Sequence, residues 1–468
     1  MFNVLIADRA ATHPALASRT KLALLGLSYL AVYCISLIVV VNYYSGYLRI
    51  AANDTHRVLA ATITVIPFAL CSVAFAFTRC SFGYAVGFYF YTLITGYLWL
   101  VNFSTFPYDH LMAWISAFAS GLAFLAPALM MGAPIRQRFV LTPEAFRKLP
   151  SIILIGTVAI VAIGSFYNFR FVGLEEIYQF RSEIGFPKLL EYAIGITSGA
   201  LLPFAFACFV WFRMRVRAGM CLVLLAVFWP ITLSKASLFA PAWLMFLAVL
   251  TRFFEARVAV VLSLFLPVLA GIVAAACNVS GLLSYHWFIT YFSSVNFRML
   301  ALTSSALDFY NDYFSTHGPT YFCQLSPVRL FVSCSIREPL SVAMQNAYQI
   351  GYFNASLFAS EGIASVGMKL APLSALGCGI LIGFVNRVSA GLPASFILLS
   401  GGLLLNTLLN VPLSTALATH GAALLFLLWY VTPRSLFAEP DSMTGFEAGG
   451  EPFTTSDQDR SVDPQYAS

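Results

Sequence analysis

Charge is what this sequence has least of. Of its 468 residues only 10% are Asp, Glu, Lys or Arg, while 60% are hydrophobic. An ordinary soluble domain carries about 25% charged and 45–50% apolar residues, so a water-facing globular fold is excluded. Metal-binding patterns are missing as well. There is no CxxC pair, no His and Cys cluster and no ladder of carboxylates at ligand spacing, which argues against a metal cofactor of the zinc or calcium type. No other cofactor is called for, nor is a nucleic-acid partner. The N-terminal segment lacks a small-residue cleavage site between its cations and the first apolar run, so that run is expected to stay as an anchor and not to leave as a signal peptide.

Apolar runs long enough to cross a bilayer fill the space left by charge. A hydrocarbon core of about 30 Å takes about 20 helical residues. Such runs fall at 22–43, 58–78, 82–104, 111–132, 150–168, 190–212, 218–233, 237–251, 258–277, 368–386, 392–409 and 413–431, the seventh and eighth being short. The expectation is an all-α polytopic integral membrane protein of about 12 transmembrane helices.

The cations orient it. With the N terminus inside, the inner segments hold Arg9, Arg19, Lys21, Arg79, Arg136, Arg138, Arg147, Lys148, Arg213, Arg215, Arg217, Arg252, Arg257, Arg387 and Arg434, nearly all close to the ends of spans, accompanied only by Asp8, Glu144 and Glu255. Basic inner loops are the usual cytoplasmic signature. The chain then divides into an inner N-terminal segment 1–21, a spanning region 22–433 with outer loops 169–188 and 278–366, and a tail 434–468. The tail is rich in Pro, Gly, Ser, Thr and acids, cannot bury enough apolar surface to fold, and is expected to be disordered and cytoplasmic.

Three outer segments concentrate the unusual residues. The first, "NFRFVGLEEIYQFRSEIGFPK", holds Arg170, Glu175, Glu176, Arg181 and Glu183. The second, "TLSKAS", puts Lys235 in a very tight turn between two short spans. Such a lysine is either a headgroup anchor or a cation turned into the bundle. The third is the connection 278–366, far longer than the usual unstructured loop. Its stretch "WFITYFSSVNFRMLALTSSALDFYNDYF" is aromatic and aliphatic enough for amphipathic helices lying on the outer leaflet. Asp308 and Asp312 are a helical turn apart and share a face. The same loop contains Cys323 and Cys334, for which a disulfide stays open if the loop meets an oxidising compartment.

"RMLALTSSALDFYNDYFSTHGPTYF", "ITLSKASLFAPAWLMFL" and "NAYQIGYFNASLFASEGIASVGMKLAP" together resemble the O-antigen polymerases, the Wzy-type oligosaccharide repeat-unit polymerases of bacterial surface polysaccharides, over roughly residues 165–390. The resemblance implies a GT-C-like inner-membrane glycosyltransferase, metal-independent, with its active site on the periplasmic side. It implies polyprenyl-pyrophosphate-linked oligosaccharides as substrates, and membrane lipids and a chain-length regulator as partners. Transfer would release a pyrophosphate, and cations would meet its charge. On residue type and position, Arg181, Arg298 and Lys235 are the expected clamp, with Arg170 a further member. Glu361, Asp308, Asp312 and His286 are the unranked candidates for the base that activates the acceptor hydroxyl. Glu361 lies among small residues that permit close helix approach and burial, and is either that base or the partner of an arginine. Tyr310, Tyr313, Phe314 and Tyr321 either stack on sugar faces or belong to an interfacial belt. An O-antigen ligase, or a multi-span transporter or flippase of lipid-linked oligosaccharide, are the competing expectations.

Overall fold

The computed structural model describes residues 15–173, 180, 183–325, 328, 331–332, 334, 336, 338–351 and 359–437. Among them every extended element is a helix, and the single β-bridge joins Ile50 to Ser104. In chain order the helices are α1 (Ala15–Leu48), α2 (Thr55–Ala69), α3 (Ser72–Phe77), α4 (Phe82–Leu100), α5 (His110–Met130), α6 (Pro143–Tyr167), α7 (Lys188–Ile196), α8 (Leu202–Trp211), α9 (Arg215–Thr232), α10 (Lys235–Phe253) and α11 (Ala256–Val279). The chain continues through α12 (Tyr285–Phe292), α13 (Leu302–Thr316), α14 (Leu340–Tyr348), α15 (Ala359–Ser389), α16 (Ala394–Asn410), α17 (Leu413–Ala418) and α18 (Ala422–Val431). Two π-helical segments, Thr197–Leu201 and Ser293–Ala301, join α7 to α8 and α12 to α13.

Ten of the resulting helical stretches are long and apolar enough to span a membrane, and Ala394–Asn410 and Ala422–Val431 are shorter apolar helices. They coincide with the apolar runs of the sequence. The all-helical character is therefore realised, with two of the runs interrupted: the second is cut between Ala69 and Ser72 into α2 and α3. The last run is cut into α17 and α18 by Gly421 in the left-handed region, φ 76°.

α4 is the axis of the bundle. Each of its residues is buried, although its mean hydropathy is the lowest of the ten spans. A helix enclosed by protein needs no lipid-facing side and can carry hydroxyls, provided each finds a partner. Tyr89 meets Ser263 of α11 at 2.7 Å, Tyr91 donates to Ala69 O at 3.1 Å, and Tyr29 of α1 donates to Thr92 at 3.1 Å. Beside it, α5 and α15 pack backbone to backbone. A Cβ on Gly379 or Gly383 would come 2.5 Å from Phe124 O or 2.8 Å from Pro127 O, so this small-xxx-small spacing can hold only glycine. Asn386 locks the same contact by donating to Ala128 O at 2.7 Å and accepting from the Gly83 amide at 2.6 Å.

Backbone contacts sort the turns onto two ends. At one end the Ala51 amide bonds Phe103 O at 2.7 Å and the Arg49 guanidinium donates to Tyr348 O at 3.1 Å, gathering turns 49–54 and 101–109 with the long connection. At the other, the Ile135 amide bonds Arg387 O at 3.1 Å, the Leu141 amide bonds Val431 O at 2.9 Å and Phe437 packs on Phe146 and Trp211. We call these the loop end and the tail end. Arg434–Phe437 forms a short 3-10 turn packed at the tail end, so these four residues of the expected disordered tail are ordered. Residues 438–468 and 1–14 lie outside the described residues.

Residues 285–316 depart from expectation in placement. They are helical, but only α12 is largely exposed; the stretch from Asn296 to Asn311 is mostly buried in the bundle. Asn296 of the π segment is fully buried, donating to Ser36 of α1 at 2.9 Å and to Val268 O of α11 at 3.0 Å, while Ser304 meets Tyr33 of α1 at 3.2 Å. From Ser304 to Asn311 every residue is buried. The polar side chains explain this: Asn296, Ser304, Asp308 and Asn311 recur at helical spacing and find buried partners on α1, α4, α11 and the 101–109 turn that a leaflet surface could not supply.

Candidate functional site

Two buried carboxylates mark the loop end. Asp308, 3% exposed, accepts from the hydroxyl of Tyr108, which meets Tyr97 of α4 at 3.2 Å; Asn311 donates to that same Tyr97 hydroxyl at 2.9 Å. Ser104 is a further donor to Asp308. Burial pushes the Asp308 carboxyl up to about 7, the bonds from Tyr108 and Ser104 pull it down and Asp312 adds to the rise. Among the described residues no cation lies within salt-bridge distance of it. The neighbouring Asn311 Oδ1 is buried without a hydrogen-bond partner among the described residues.

Glu361, 6% exposed, is the second. It lies in the first turn of α15, and Gly367, φ 75°, kinks that helix immediately below. Its carboxylate takes hydrogen bonds from the Leu413 amide and Gln324 and sits close to Tyr310. Gln324 is itself held by Ser365 at 2.8 Å and Thr320 at 2.9 Å, and the Thr320 and Tyr321 amides bond Ala364 O and Ser365 O at 2.8 Å. The long connection is thus pinned onto α15 beside the carboxylate. Cys323 and Cys334, in the same stretch, are joined in a disulfide. Among the described residues Glu361 also has no cationic partner.

The remaining expected residues divide. Tyr310 is fully buried. Asp312 is half-buried and accepts from Tyr348 at 2.6 Å; that tyrosine's hydroxyl is raised by burial first and Asp312 next, while the Arg49 guanidinium lies 5.3 Å from its ring. Tyr313 stacks on His317, and Phe314 packs on both Tyr310 and Tyr313, so these rings are partly committed to one another. Tyr321 is exposed. His286 is exposed on the first turn of α12 beside Trp287, on a different element from either buried carboxylate.

Of the cations, Arg298 is exposed on the π segment. Lys235 is partly buried as the first residue of α10, after a turn of only Leu233, φ 46°, and Ser234. That helix starts with no side-chain cap, so its ammonium is added to amide groups that already favour an anion. Arg170 is exposed, pairs with Glu183 at 3.1 Å and lies over the Phe180 ring; its amide and the Asn168 side chain tie the 168–173 segment to Pro230 O, just before Lys235. Arg181, Glu175 and Glu176 lie outside the described residues. Sequence reasoning did not single out Tyr97, Tyr108, Tyr348 or Gln324. Their roles depend on contacts across the bundle, such as the 200 residues separating Tyr108 from Asp308, and no local pattern announces them.

No protein-family model matches the chain, and no curated protein or solved structure is significantly similar to it.

Proposed function

We propose that the protein is a polysaccharide polymerase of the bacterial inner membrane, transferring a glycan from its polyprenyl-pyrophosphate anchor to a hydroxyl of an incoming lipid-linked repeat unit. The observation that carries the reading is the placement of Glu361: a buried carboxylate at the loop end, bonded to neutral donors, beside Tyr310 and under a disulfide-bonded connection. With neutral donors around it and no cation paired to it among the described residues, this carboxylate is suited to take a proton, as a general base must. In this mechanism Glu361 takes the proton of the acceptor hydroxyl as its oxygen attacks the donor's anomeric carbon. The bond from that carbon to the pyrophosphate breaks, the electron pair leaves with the pyrophosphate, and the proton passes on to solvent.

The leaving group needs positive charge. Lys235 with the uncapped start of α10 supplies it, and Arg298, Arg170 and Arg181 are the further arginines of this role. Asp308, held through Tyr108 and Tyr97 to α4, fixes α13 and with it Tyr310 against the site. Loop end periplasmic, termini cytoplasmic and a GT-C-like set of about twelve spans complete the proposal. The disulfide is in keeping with an oxidising compartment on the loop side, and the cation-rich turns with a cytoplasmic tail end. Lipid-linked oligosaccharides, membrane lipids and a chain-length regulator are the partners of this reading.

A second reading, a flippase or other transporter, draws support from one feature. α18 is separated from α17 by Thr419–Gly421, and Gly195 and Gly199 beside the π segment press directly on Thr419 O and His420 O. Discontinuous helices of this kind line transporter sites. Deleting the gene separates the readings: surface glycan one repeat unit long is expected of a lost polymerase, whereas no surface repeat at all would favour ligase or flippase. Glu361→Gln at normal abundance is expected to reproduce the single-repeat phenotype, and long chains from that variant would remove Glu361 from the chemistry.

A further inference from the structure

At the tail end, remote from both carboxylates, an open groove of about 520 Å³ runs between the first turns of α6 and α9. Arg147 and Lys148 of α6 and Arg217 of α9 line its mouth, and Arg217 is steadied by a hydrogen bond to Ser151 at 3.1 Å. Glu144 is the one acid in the lining, and among the described residues none of the three cations is in salt-bridge contact. One and two turns further along α6, Ile152 and Ile155 form the rest of the wall, 62% and 71% exposed.

From this order we infer that the groove is a binding site for an anionic, two-chain phospholipid. Three cations from two helices face a phosphate, with Arg217 pre-oriented to bind it through its fork. Both helices also begin here, adding the positive ends of their dipoles. The isoleucines then continue in the direction the acyl chains must run, from cation to Ser151 to apolar wall on one helix face. A free phosphate would satisfy the cations and have no use for that wall. Positive-inside cations as a class need no groove, since headgroup attraction is diffuse; here the charges converge on a concave site. The chain's own acidic tail is the rival occupant: Phe437 packs on Phe146, next to Arg147, and Glu439 and Asp441 follow it in sequence.

The test is independent of the proposed catalysis. Full-length protein in micelles is titrated with phosphatidylglycerol or phosphatidylcholine, and bound lipid is counted by native mass spectrometry. Wild type is expected to retain phosphatidylglycerol in preference. Arg147→Gln with Arg217→Gln should weaken that retention by about tenfold or more, with phosphatidylcholine retention and thermal midpoint unchanged, while Arg136→Gln at the same end should change nothing. Should the double variant fail to fold, Lys148→Gln alone is expected to give a severalfold loss. Ile152→Ser with Ile155→Ser should also reduce phosphatidylglycerol retention. Wild-type retention by the folded cation variants, or displacement of the lipid by millimolar inorganic phosphate, would overturn the inference. So would a severalfold gain in retention on Glu439→Gln with Asp441→Asn, which would make the tail the resident.

Discussion

Asp308 makes the fold itself pH-dependent, with a sign that follows from its burial. Its carboxyl titrates near 7 in the folded protein instead of at 3.8, so between these values the folded chain holds a proton that the unfolded chain has released. Stability contributed by that proton is fully present below the unfolded value and is lost as pH rises through the folded one. Going from pH 5 to pH 8 should therefore cost wild type about 3 kcal/mol through this group, most of it below pH 7. Above pH 8 no further loss arises from this group. Asp308→Asn keeps an oxygen to accept from Tyr108 and removes this titration, so its stability should fall across the window by about 3 kcal/mol less than that of wild type. The two are compared by thermal or denaturant unfolding in one detergent, followed through tryptophan fluorescence. Equal slopes for wild type and Asp308→Asn would refute the argument, and so would a wild type that gains stability relative to Asp308→Asn between pH 5 and 8.

Lys235→Gln should abolish polymer at unchanged abundance and Lys235→Arg should retain part of it, read by glycan length on a gel, because a misplacement of about 1 Å can cost about a hundredfold in rate; long chains from Lys235→Gln would return the lysine to a headgroup role. Gly271→Ala should be strongly destabilising, by about 1–3 kcal/mol, since its new methyl would collide with the buried Asn296 side chain that docks the π segment on α11; Asn296→Ala is expected to relieve the collision, and additive losses in the double variant would show that the contact is not the cause. Cys323→Ser with Cys334→Ser opens a loop of sequence separation 11 and should cost about 3 kcal/mol of local stability in the connection, measured as faster proteolysis there, with an unchanged cleavage rate contradicting it.

The membrane class and the places of the helices were legible in the sequence, because both depend on local quantities: the length of apolar runs and the position of cations at their ends. Glu361 was also partly legible, since the small residues around it announce close packing whatever the partner. The carboxylates of α13 show where that legibility stops. Asp308 and Asp312 share one helix face in the sequence, yet Asp308 is 3% exposed against Tyr108 while Asp312 remains half-buried beside Tyr348. Likewise, amphipathic spacing identified a helix in 285–316 but not its cover, and the structure wedges 296–311 of it against α1, α4 and α11 where a leaflet surface had been expected. Periodicity states which residues face the same way. It carries no information about what they face, which is set by partners distant in the chain.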